Sequence, residues 1–145
     1  MAKTLLDLAN DMNKLADSIP QAISSYKVKI AQTIVADLAY KTPVDTSQAI
    51  SNWVVTLGAK NVGIIRPHYP GEYGSTRNAS AQETIQRANV VLSKKKPGES
   101  IFITNNLPYI VRLNDGYSAQ APAGFVERSI LIGRRMAARF QLKKA

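Results

Sequence analysis

The sequence predicts an α+β domain, and three observations carry that prediction. Long stretches repeat apolar residues at three- and four-residue spacing, as buried helix faces do. Short β-branched runs bounded by turn residues lie between them, as strands do. The chain has 145 residues, 45% of them hydrophobic and 20% charged. That is enough for one domain, residues 1–145, to bury a core without staples.

The elements follow in order. Leu5, Leu8, Met12, Leu15 and Ile19 mark a helix over 3–17, and Ser18-Ile19-Pro20 is expected to end it. Pro20 suits the first turn of a second helix over about 20–41, with Ile23, Tyr26, Ile30, Ile34 and Leu38 on its apolar face. Thr42-Pro43 ends that helix, because the residue before proline disfavours the α region. Pro43–Ser47 is a structured corner, in which Asp45 and Thr46 can bond to nearby backbone N–H groups. Alternation over 49–57 predicts a strand with Trp53 as a core anchor, and 62–66 a short return strand.

From Pro67 to Ala79 the periodicity disappears. Two prolines, two glycines, Tyr69, Tyr73 and His68 stand there instead. A structureless connection of this length points to function, and exposed tyrosines are common interface anchors. The segment is therefore expected to be an extended arm reaching a neighbouring subunit, with Tyr69, Tyr73, Arg77 and Tyr117 as contact candidates. His68 has no partner motif and reads as a surface residue. Ser80-Ala81-Gln82-Glu83 has the form of a capping box and predicts a helix start. That helix ends by Lys94-Lys95-Lys96-Pro97-Gly98, where lysines meet the negative helix end. Ile101–Thr104 and Tyr109–Leu113 read as the two strands of a hairpin around Asn105-Asn106 and Pro108. Asn114-Asp115-Gly116 is a stop, and a last helix runs from about Pro122 to Leu142.

Charge is distributed unevenly. The net charge is +9, and residues 124–145 carry six basic residues against only Glu127. At 100° per residue, Val126, Ile130, Gly133 and Ala137 share one side of the last helix. Arg128, Arg135, Arg139 and Lys143 share the other. With Lys94, Lys95 and Lys96 they are the candidates for facing DNA or an acidic partner. A solvated basic surface is the alternative. No aromatic residue interleaves the stripe, so DNA contact would run through phosphates, without sequence reading and with strong salt dependence.

Much familiar chemistry has no support. The sequence contains no cysteine and one histidine. It shows no phosphate-binding glycine loop, no metal-ligand spacing and no nucleophile elbow. No enzyme, cofactor or metal is expected. No apolar run approaches the roughly 18 residues of a membrane span, and the N-terminal aspartates argue against a signal peptide.

Two blocks resemble the tail-completion (head–tail joining, or neck) proteins of tailed bacteriophages. The first is Lys41-Thr42-Pro43-Val44-Asp45-Thr46, followed by Asn52-Trp53. The second is Asn106, Pro108-Tyr109, Leu113, Gly116, Ser118, Gln120-Ala121-Pro122, Gly124 and Val126. They stand in the family's order, and the resemblance covers about 22–138. One departure is that the family's usual Gly-Arg after the Asp-Thr pair is Ser47-Gln48 here. The resemblance implies a small curved antiparallel sheet packed with a long N-terminal helix, a middle helix and a C-terminal helix. It implies a homo-oligomeric ring, hexameric by family habit with a dodecamer as variant. The ring would lie between portal or adaptor proteins and tail proteins, and DNA would pass through its channel with transient, non-specific contact. It places the protein in the virion, and in the host cytoplasm during assembly. The runner-up is a free, small, basic protein that binds nucleic acid regardless of sequence. It accounts for the charge but leaves the two blocks and the tyrosines unexplained.

Overall fold

The computed structural model describes residues 4–43, 47–116 and 123–140. The elements run α1 (Leu5–Lys41), α2 (Gln48–Ser51), β1 (Val54–Leu57), α3 (Arg77–Leu92), β2 (Ile101–Thr104), α4 (Ile110–Asn114) and α5 (Phe125–Ala138). The architecture is α+β. A two-stranded antiparallel sheet, with Val54 opposite Thr104 and Leu57 opposite Ile101, packs against the long N-terminal, middle and C-terminal helices.

Helix α1 is the spine. The two expected N-terminal helices are one helix of 37 residues, with Pro20 inside it. Its length is about 55 Å. Proline removes one backbone N–H, which leaves the Ala16 carbonyl without its helical donor. Pro20 and every residue from Leu5 to Ser18 are exposed, so water can serve that carbonyl. Thr4 and Asp7 close a reciprocal capping box at the start, each bond 3.1 Å long. At the other end the Thr42 N–H donates to the Leu38 carbonyl.

Two helices pack on different faces of α1. Helix α3 brings Ala88 and Leu92 against Ala31 and Val35, with Val55 of the sheet beneath them. Helix α5 runs antiparallel to α1, and Phe125 meets Leu38 and Trp53. Further along, Gly133 lies so close to α1 that a Cβ there would stand 2.5 Å from Ile34 Cδ1. Glycine is what permits this approach. The buried stripe of α5 is Phe125, Ser129 and Gly133, whereas Ile130 and Ala137 of the expected apolar face are exposed. The stripe turns toward Ser129 because that hydroxyl donates to the Asp37 carboxylate, so a polar residue is satisfied inside. Asp37 also pairs with Lys41 at 3.0 Å.

Several expected strands take other forms. Ala49–Ser51 belongs to α2, and the neighbours Ala49 and Ile50 are both buried, which an alternating strand would not allow. The Ser51 hydroxyl and the Asn52 amide both donate four residues back, to the Ser47 and Gln48 carbonyls, and hold this turn. Residues 62–66 form no strand. The side chains of Asn52 and Asn106 take up their backbone groups instead. The 109–113 run is helix α4, entered through Pro108, with the Leu113 N–H donating to the Tyr109 carbonyl. The partner of β2 is therefore β1, some fifty residues earlier in the chain. Helix α3 starts at Arg77, three residues before the capping-box sequence. Ser80 is fully buried and Glu83 bonds Arg87, so neither serves as a cap.

Candidate assembly interface

The expected interface residues fall into three groups. The first is the segment 67–76. It is laid along its own chain by the hydroxyls of α2 and α3. The His68 N–H donates to Ser51 Oγ at 2.9 Å, and the Tyr69 N–H to Ser80 Oγ at 3.3 Å. Thr76 Oγ1 donates to the Tyr69 carbonyl and lies 2.8 Å from Ser47 Oγ. Residues 77–79 are the first turn of α3 rather than loop. Tyr69 and Tyr73 remain turned outward, Tyr73 at 92% exposure, on a backbone with positive φ. The Arg77 guanidinium donates to the Tyr40 carbonyl and ties the start of α3 to the end of α1. Tyr117 lies outside the described residues.

His68 is half-buried beside a cavity of about 250 Å³ that Trp53, Ile65, Thr84 and Arg87 also line. Burial, and then the Arg87 guanidinium, hold its imidazole below the ordinary value of 6.5, with Glu83 opposing. Above 6.5 the group is neutral in both folded and unfolded chains. Below it the unfolded chain takes up the proton first, so stability falls as pH drops through 6.5 toward the lower folded value. Melting curves of wild type and His68→Gln across this window should therefore show the wild type losing more stability on acidification. Parallel curves would contradict the depressed imidazole.

The second group is basic. Lys94, Lys95 and Lys96 follow the end of α3. Lys95 folds back on α1, where its Nζ donates to Ser24 Oγ at 2.7 Å. Burial and the nearby Lys27 ammonium lower its pKa, with Glu99 opposing. Lys94 and Lys96 are exposed. Arg128, Arg135 and Arg139 of α5 are exposed, and none forms an ion pair among the described residues. Arg134 belongs with them, although it falls outside the expected stripe. Lys143 lies outside the described residues. Helices α3 and α5 pack on different faces of α1, so the triple lysine and the α5 arginines remain two basic centres, as their separation along the chain led one to expect.

The third group holds the scaffold. Thr42 and Pro43 are buried. Trp53 Nε1 donates to Thr42 Oγ1 at 2.8 Å, and the Thr42 hydroxyl to the Leu38 carbonyl at 2.5 Å. The indole thus locks the end of α1 to the start of β1. Ser47 is fully buried at φ 71°, ψ 6°, a left-handed conformation that favours glycine. Pro108 and Tyr109 open α4, and burial raises the Tyr109 phenol above its ordinary value. Gly116 has φ +94°, and a Cβ there would stand 3.1 Å from Ala123 Cβ. Asn114 organises the next start: its Oδ1 accepts from the Val126 N–H at 2.9 Å, and its amide donates to the Glu127 carboxylate. It caps α5 from outside the helix, a role its place in a stop signal did not announce. Asp45, Thr46, Gln120 and Pro122 lie outside the described residues.

One feature belongs to none of the expected groups. Leu5, Leu8, Met12, Leu15 and Ile19 repeat at alternating three- and four-residue spacing, the pattern of a coiled-coil seam. Tyr26, Ile30 and Ile34 continue that seam, and α5 covers them: the Tyr26 hydroxyl donates to the Met136 carbonyl, and its ring lies 4.8 Å from that of Phe140. From Ile23 back to Leu5 the same face is largely open, with Leu5 at 84% and Met12 at 63% exposure. No group of three or more His, Cys, Asp or Glu side chains suited to a metal occurs among the described residues. No described helix is long and apolar enough to cross a membrane. Compared with protein-family models, with curated proteins and with solved structures, the chain has no match.

Proposed function

We propose that this chain is a structural subunit of the head–tail junction of a tailed bacteriophage. Copies assemble into a ring that joins the portal side to the tail and surrounds the channel for double-stranded DNA. The observation that carries this reading is the open seam of α1. A regular apolar stripe of this extent is a surface made to be covered, and no described part of its own chain covers it. The resemblance over 41–53 and 106–126 points the same way. The left-handed Ser47 supports it further, because it stands where that family usually has glycine and where glycine fits best.

The mechanism is fit and electrostatics, and no reaction is assigned. A closed ring requires head-to-tail contacts between unlike surfaces. Tyr69 and Tyr73 present further outward anchors for neighbouring copies or for the adjoining virion proteins. Exposed lysines meet DNA phosphates diffusely, which holds the duplex centrally without arresting it. The runner-up, a free nucleic-acid-binding protein, draws its support from the α5 arginines, which no described carboxylate neutralises.

Light scattering on the purified chain, alone and with portal–connector complex at two salt concentrations, separates the two. The ring reading expects a ring-sized mass in one or both mixtures. A monomer in both, with DNA affinity that falls steeply as salt rises, would replace it with the runner-up.

A further inference from the structure

Resting on that reading, we infer the subunit contact itself: the open seam of α1 in one copy docks on the outer face of α5 in the next copy. Two observations name this occupant. The first is continuity. The inner face of α5 already covers the seam within the chain from Tyr26 to Asp37, so a helix of the neighbour laid further along α1 continues the same seam of α1.

The second is complementarity. On α1, Asp7 and Asp11 lie one helical turn apart beside Leu8, Met12 and Leu15, with Lys14 one turn further along the same row and Asp7 shared with the cap. On α5, Leu131 is 44% exposed and sits among Arg128, Arg134 and Arg135, with Ile130 beside it at 42%. An apolar stripe edged with acid thus matches an apolar spot ringed with arginine. The symmetric alternative, seam against seam, would close a two-fold dimer and leave no face for a third copy, so it does not build a ring. The contact is heterologous, as a ring requires. It also gives the two basic centres different roles, since the α5 arginines face protein while Lys94 and Lys96 are left for phosphate.

The test uses the full chain and two variants at exposed positions, with far-UV circular dichroism and melting temperature as folding controls. Leu8→Glu/Met12→Glu blocks the seam, and Leu131→Glu/Arg134→Glu blocks the α5 face. Sedimentation velocity should show wild type growing beyond dimers as concentration rises. Each variant alone should stay monomeric. An equal mixture should form a one-to-one dimer and nothing larger, because each copy keeps one competent face.

A wild-type chain that stays monomeric overturns the inference. Dimers of the α5-blocked variant alone overturn it in favour of the symmetric contact. Rings formed by the seam-blocked variant overturn it and leave the ring reading standing. Open chains that lengthen through this contact without closing uphold it and remove the ring reading.

Discussion

Phe125→Ala is expected to cost about 3–5 kcal/mol, a large share of the stability of a domain this size. Phe125 is 1% exposed and opens α5. Its ring fills the junction of three elements, against Leu38 of α1 and Trp53 before β1, with Leu113 of α4 alongside. Truncation removes the transfer energy of the ring and leaves a cavity whose walls are held in place. Trp53 in particular is fixed by its bond to Thr42, so it cannot swing in to fill the space. Urea unfolding would measure the loss as a lower midpoint at unchanged slope. Phe125→Leu keeps most of the volume and should cost less than about 1.5 kcal/mol. Equal losses for the two variants would mean that α5 docks through something other than this ring.

Asn52→Ala should cost about 2–4 kcal/mol through hydrogen bonds alone. Asn52 is 1% exposed. Its amide nitrogen donates to the carbonyls of Gln48 at 2.8 Å and Ile65 at 2.9 Å. Its oxygen accepts from the Ile65 N–H at 2.8 Å. One side chain therefore stands in for a strand partner and pins the 62–66 segment to α2. Asn52→Asp, nearly identical in shape, should be worse than alanine. It would aim a carboxylate oxygen at two carbonyls in a buried site. Limited proteolysis in the 58–68 region checks the location of the damage, and denaturant midpoints check the order of the two variants. A milder effect for Asp than for Ala would contradict the donor assignment.

These two residues show what sequence reasoning could reach. The helical character of α1, α3 and α5 and the strand β2 are legible because their apolar periodicity is long or their bounding turn residues are strong, but that α1 runs unbroken through Pro20 was not. Trp53 is legible as a core residue from size alone. Asn52 is not: an asparagine in an alternating run looks like the polar face of a strand, whereas it bonds the Gln48 carbonyl in α2 and meets Ile65 from thirteen residues away. The same applies to Ser80 and Glu83, whose spacing imitates a cap while tertiary contacts claim both side chains. The hairpin expected at 101–113 failed because β2 had a better partner in β1, and pairing across that distance leaves no local mark. Within the candidate interface, the basic residues of α5 were visible as a stripe. The division of the basic charge into a C-terminal centre and a second one at Lys94-Lys95-Lys96 was also legible along the chain; that the two lie on helices packed on different faces of α1 was not. The apolar seam was visible as periodicity, but whether the chain covers it is a fact of packing.

The first fourteen or so residues of α1 are exposed throughout, so local contacts such as the Thr4–Asp7 cap, rather than burial against the rest of the domain, keep them helical. A helix of that length is marginal by itself. If copies dock through this seam as proposed, each spends part of the docking energy on ordering these residues before any net attraction appears. Two dilute subunits gain little from meeting, while copies already gathered on a surface gain much. Under the proposed contact, growth needs no ligand and no modification: it rises steeply with the concentration of the chain itself, which is what the sedimentation experiment reads.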